Sequence, residues 1–120
     1  MKFLIVDDSK AMRMIVLRTL RQTGYGSHTF VEADNGAHAL AQIKQDQPDV
    51  VISDWNMPEM NGLELLQNVR SANLAVKFGF VTSEANPEMR QKAAAEGALF
   101  FVTKPFTAEA FQDALDKALT

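Results

Sequence analysis

The chain contains no cysteine, which excludes a disulfide scaffold, a thiolate metal site and thiol catalysis. No apolar run approaches the ~20 residues that a membrane-crossing helix needs. The opening residues, Met1-Lys2-Phe3-Leu4-Ile5-Val6-Asp7, reach acid too soon for the apolar core of a signal peptide. There is no excess of base either: Lys and Arg number 12 against 15 Asp and Glu, a formal net charge of −3. A nucleic-acid binder carries a basic stripe, so neither nucleic acid nor membrane is an expected partner, and the expected location is the cytoplasm. Low-complexity segments, internal repeats and linkers are also missing.

What is present is an ordinary globular composition, 47% hydrophobic and 22% charged over 120 residues, too apolar for a disordered chain. That length suits one domain with one real core, so residues 1–120 are expected to form a single unit. Short apolar runs at Phe3–Val6, Val50–Ser53, Phe78–Val81 and Ala98–Val102 predict strands buried on both faces, with a weaker edge strand at Thr29–Ala33. Between them run helix-period stripes: Met12, Ile15, Val16, Thr19 and Leu20, then Ala39, Leu40 and Ile43. Leu65, Leu66 and Val69 make a third, and Phe111, Ala114, Leu115 and Ala118 close the series. Gly24 after the first helix, Asn86-Pro87 before the fourth and Thr107 before the fifth have the residue types of helix ends. The order is a strand and a helix repeated five times, an α/β chain with a parallel sheet and helices on both faces. The fifth helix is expected to end with the sequence, leaving nothing for an output domain.

In such a sheet, ligands bind beyond the carboxyl ends of the strands. Those ends are Asp7-Asp8, Asp54, Thr82 and Lys104. Each alone has a structural explanation: Asp7 or Asp8 as a helix N-cap, Asp54 as the start of a turn with Asn56 and Pro58, Thr82 bonded to nearby backbone, Lys104 as a solvated loop lysine. Together they call for another, because converging carboxylates repel one another more as they are desolvated. A hard divalent cation resolves that repulsion, and carboxylate oxygens with retained waters suit Mg²⁺. A cation beside a carboxylate, a hydroxyl and a lysine also suits the oxygens of a transferring phosphoryl group. Asp54, on the central run, is the candidate nucleophile and would form an aspartyl phosphate. His28 and His38 lie away from these strand ends.

These residues resemble the response-regulator receiver domains, the phosphoacceptor modules of two-component signal transduction. LIVDDSKAMR, EADNGAHAL, PDVVISDWNMPEMNG, FVTSEA and FVTKPF fall in order across the chain, and the likeness is to the single-domain, CheY-like branch. The resemblance implies a flavodoxin-like (βα)5 doubly wound sheet of strand order 2-1-3-4-5. It implies that Asp54 accepts a phosphoryl group from a phosphohistidine on a histidine kinase or histidine phosphotransfer protein. Asp7, Asp8, Asp54 and the backbone carbonyl of Asn56 would hold Mg²⁺, and Lys104 and Thr82 would contact phosphoryl oxygens. Thr82 and the aromatic switch position Phe101 would move together, the Lys104-Pro105 bond would be cis, and Asn56 and Glu84 would tune acyl-phosphate hydrolysis. The phosphoprotein would switch affinity for a downstream target, in chemotaxis the flagellar motor switch. It would be no enzyme towards external metabolites, only towards its own phosphoryl group. The alternatives are a phosphorelay intermediate or a receiver excised from a larger regulator.

Two other classes compete. A haloacid-dehalogenase-type phosphatase needs a second acid two residues after its nucleophile, where Asn56 stands, and a cap domain that does not fit this length. A flavodoxin-like FMN protein needs a phosphate loop after its first strand, where Asp7-Asp8 would repel phosphate. Three further features of the sequence carry expectations of their own. Gly79 in Phe78-Gly79-Phe80 is expected either to leave room for the Phe101 ring to move or to be a local packing choice. The fourth helix, with Met89 and alanines as its apolar anchors, is expected to be loosely held. Met14 and Leu17 are expected to project from the first helix beside Arg13, Arg18 and Arg21, either as ordinary surface apolar residues or as a docking patch for the phosphodonor.

Overall fold

A computed structural model describes residues 1–83 and 86–119. Strands and helices alternate along them: β1 (Lys2–Val6), α1 (Lys10–Arg21), β2 (Thr29–Ala33), α2 (Gly36–Asp46), β3 (Val50–Ser53), α3 (Gly62–Ser71), β4 (Lys77–Thr82), α4 (Pro87–Ala95), β5 (Phe100–Thr103) and α5 (Ala108–Leu119). All strand pairs are parallel, and the sheet order is β2-β1-β3-β4-β5. This is the flavodoxin-like arrangement, and it puts β3 at the centre.

Strand alternation builds two cores, one on each face of the sheet. Phe3 and Ile5 of β1 join Val16, Leu17 and Leu20 of α1 and Phe111 and Leu115 of α5. Leu4 and Val6 join Ala39 and Ile43 of α2 and Leu65, Leu66 and Val69 of α3. Because β1 and β3 are covered on both sides, their sequences are continuous apolar runs rather than alternating ones. The helix starts are capped by side chains. Ser9, Asn35, Asn61, Asn86 and Thr107 each accept a backbone N–H one turn on, and Asn61 with Glu64 closes a full capping box.

Three expectations need correction. The inward stripe of α1 is Val16, Leu17 and Leu20: Leu17 is only 9% exposed, whereas Ile15 is 44% and Met14 51% exposed. Both phases share Val16 and Leu20, and a 3.6-residue period alone does not choose between Ile15 and Leu17 as their companion. β5 starts at Phe100 rather than Ala98, because the chain is still closing α4. The Gly97 N–H donates to the Ala94 carbonyl and the Ala98 N–H to the Ala93 carbonyl, with Gly97 at φ 98°. Gly79 leaves its space to Phe100, its register partner on the adjacent strand, and not to Phe101. A Cβ at Gly79 would overlap the Phe100 ring.

α4 is sparsely anchored. Only Ala93 is buried, with Met89 half-buried against the core.

Candidate functional site

The parallel register brings four strand ends to one edge of the sheet. The Asp7 N–H donates to the Ala33 carbonyl at the end of β2, and the Asp54 N–H to the Val6 carbonyl at the end of β1. The Lys104 N–H donates to the Thr82 carbonyl in the same way. Each chemical side chain thus follows a ladder bond that fixes its height. Carboxylate oxygens of Asp7, Asp8 and Asp54 all lie within 4.8 Å of one another. The Lys104 Nζ sits 3.6 Å from Asp7 Oδ2 and 3.7 Å from Asp54 Oδ1. Thr82 is fully buried at the end of β4, and Asn56 lies exposed two residues past Asp54. The Lys104-Pro105 bond is cis. Glu84 lies outside the described residues.

Backbone donors orient the acids. The Ser9 N–H donates to Asp7 Oδ1 at 2.9 Å, and the Trp55 N–H to Asp54 Oδ1 at 2.8 Å. Ser53, wholly buried, donates its hydroxyl to the Asp54 carbonyl at 2.8 Å. Burial pushes both Asp7 and Asp54 above the usual carboxylate range. For Asp7 the Ser9 N–H and Lys104 oppose that rise and Asp8 adds to it. For Asp54 the opposition comes from Lys104 and the backbone N–H groups of Trp55 and Asn56, while Asp7 reinforces the burial. One ammonium therefore does not fully offset the desolvated acids. A divalent cation fits the remaining charge and the all-oxygen donor set, so Asp7, Asp8 and Asp54 can hold a metal ion.

Phe101 is half-buried in an aromatic cluster, its ring centroid 6.1 Å from those of both Trp55 and Phe80. The Arg90 guanidinium lies over its face, 4.8 Å from the centroid. The predicted docking pair separates: Met14 is exposed, but Leu17 belongs to the core and cannot contact a partner. The apolar surface beside the site is instead a groove of about 440 Å³ lined by Met12, Ile15, Thr19, Lys104, Pro105 and Phe106.

Two supporting residues, Gly62 and Arg13, were not legible in the sequence. Gly62 gives its N–H to the Trp55 carbonyl at 2.8 Å, and a Cβ there would overlap the Asp54 carbonyl. Its place at the end of the Asp54 segment was visible, but not the close approach. Arg13 donates from Nη1 to the Asp7 carbonyl at 2.7 Å and pairs through Nε with Glu32 at 2.9 Å. An i+6 separation on the far side of a turn gives no periodic signal.

A family model described as the response regulator receiver domain matches residues 3–116. Chemotaxis protein CheY-3 of Vibrio cholerae is 42% identical over 121 residues, covering 98% of this chain and 90% of that protein. Chemotaxis protein CheY of Pseudomonas aeruginosa is 39% identical, covering 98% and 94%. The solved structure of Vibrio cholerae chemotaxis protein CheY4 superposes with a TM-score of 0.87 at 35% identity over 98% of each chain. Sheet order, converging strand ends and these matches lead to one assignment: the chain belongs to the response regulator receiver domain family.

Proposed function

We propose that this chain is a stand-alone response regulator of chemotaxis signalling that is phosphorylated on Asp54. The observation that carries the reading is the position of Lys104, within 3.7 Å of Asp54 and 3.6 Å of Asp7, on an acidic cluster whose carboxylates are raised by burial. The stand-alone form is supported by the 90% and 94% shares of the chemotaxis relatives that the chain covers.

The Asp54 carboxylate oxygen bonds to phosphorus as the donor's P–N bond breaks, and the departing imidazole keeps the electron pair. Asp7, Asp8, Asp54 and the Asn56 carbonyl would hold Mg²⁺, which would supply neutralisation of the charge building on the phosphoryl oxygens. Lys104 binds one of those oxygens, and its ion pair with Asp54 is exchanged for one with the phosphoryl group. Thr82 donates its hydroxyl to another. Phosphorylation adds roughly −1.5 to −2 charge, and the new acceptor oxygens favour the state in which Thr82 faces them. Phe101 follows, because its ring shares a cluster with Trp55, the residue next to Asp54. Asn56 and Glu84 set the rate at which water cleaves the acyl phosphate. The chain turns over no external metabolite.

The donor is a histidine kinase or histidine phosphotransfer protein, and its helices dock on the Met12, Ile15 and Phe106 groove, which opens beside Lys104. The receiving partner is a target protein of the flagellar motor switch. Incubation with acetyl phosphate and Mg²⁺ tests the reading. Intact-mass measurement is expected to show one added phosphoryl group on the wild type and none on Asp54→Asn. An equal gain on the variant would move the acceptor to another residue.

A further inference from the structure

The two acids that follow β1 are held very differently. The Asp7 side chain is 5% exposed and fixed by the Ser9 N–H and Lys104. Asp8 is exposed, and its carboxylate faces that of Asp7, a like charge. What directs Asp8 towards the cluster is therefore the peptide that joins it to Asp7. The N–H of Asp7 is held by the Ala33 carbonyl, and its C=O accepts from Arg13 Nη1 at 2.7 Å. Fixing that carbonyl fixes the plane from which the Asp8 Cα–Cβ bond departs. Arg13 is itself aimed. It sits in the first turn of α1, its side chain is 13% exposed, and its Nε–H pairs with Glu32 of β2 at 2.9 Å. One planar guanidinium thus ties the β1–α1 turn to the neighbouring strand in a geometry an ammonium does not reproduce.

We propose that Arg13 is a positioning residue for divalent-cation binding, holding the Asp7–Asp8 peptide so that Asp8 is presented to the metal, with Glu32 orienting its guanidinium. The inference rests on the functional reading above, in which Asp7, Asp8 and Asp54 hold Mg²⁺. It has a sign that separates it from simple electrostatics. A guanidinium beside a cation site repels the cation. If charge were its only contribution, removing Arg13 would tighten binding; if it positions Asp8, removal loosens binding.

Calorimetric titration with Mg²⁺ of the phosphoryl-free protein tests this without reference to phosphorylation. Arg13→Ala is expected to weaken Mg²⁺ binding by about tenfold, the scale of lost outer-shell support at metal sites. Arg13→Lys keeps the charge and the stem but loses the fork, and is expected to weaken binding in the same direction. Glu32→Gln loses the ion pair that aims the Nε–H and is expected to weaken binding in the same direction, by less than Arg13→Ala. Far-UV circular dichroism without Mg²⁺ monitors the fold, and should Arg13→Ala not fold, Arg13→Lys decides. Unchanged or tighter binding by a folded Arg13 variant overturns the proposal while leaving the function intact. A wild-type protein that takes up no Mg²⁺ overturns the functional reading and this inference with it.

Discussion

Ionising Asp54 or Asp7 costs the fold free energy, and that cost has a measurable sign. Burial raises both above the ordinary carboxylate value of 3.8, so in the window from that value upward the native state binds more protons than the unfolded chain. Their contribution to stability falls as pH rises through that window. Without divalent ions, Asp54→Asn is therefore expected to melt a few degrees above wild type at neutral pH, and the gap is expected to close as pH falls towards 4; a lower Tm for the variant at neutral pH would contradict the assigned shift. Gly79 carries a second prediction at this scale. The Phe100 ring occupies the space a side chain would need, so Gly79→Ala is expected to destabilise by about 1–3 kcal/mol, the usual cost of overpacking. Phe100→Leu in the same chain is expected to recover part of that loss in a denaturant titration. The sequence showed glycine inside a strand, but which neighbouring ring needs the gap depends on register, which no local pattern encodes.

Among the elements, α1 and α4 are opposites. α1 buries Val16, Leu17 and Leu20, and its end carries Arg18 and Arg21 in the favourable dipole position. α4 buries Ala93 alone. Amide hydrogen exchange is expected to be much faster along α4 than along α1, and equal protection would contradict the reading of α4 as loosely held. The outward face of α1 carries the donor prediction. Ile15→Asp is expected to slow phosphotransfer from a protein donor at least tenfold while leaving phosphorylation by acetyl phosphate unchanged. Leu17→Asp is expected to unfold the protein instead, as a charge placed in the core. Strand and helix order, the Asn86 and Thr107 caps and the five strand-end residues were readable, because two-sided burial and cap chemistry are local properties; Ser9, Asn35 and Asn61 were not among the expected caps. The phase of α1 was not readable, since Ile15 and Leu17 flank Val16 as equally apolar neighbours, and only the packing of α1 against β1 and α5 selects Leu17.

At the scale of the molecule, one edge of a parallel sheet gathers residues from positions 7 to 104, and each strand end contributes because its ladder places it at the same height. The two cores cover that edge from both faces; in the proposed function, charge added at Asp54 would be answered at Thr82 and Phe101 and by the sparsely anchored α4. That whole-molecule order was legible from the sequence; the Arg13 and Gly62 supports were not, because each bridges segments that meet only after folding. The most direct test of the central claim is chemical trapping of the acyl phosphate. The protein is phosphorylated with acetyl phosphate and Mg²⁺, reduced with borohydride, digested, and its peptides are mapped by mass. Reduction converts an aspartyl phosphate to homoserine with release of phosphate. The account predicts homoserine at position 54 and nowhere else; homoserine at Asp7 or Asp8, or none in a protein that has gained phosphoryl mass, would contradict it.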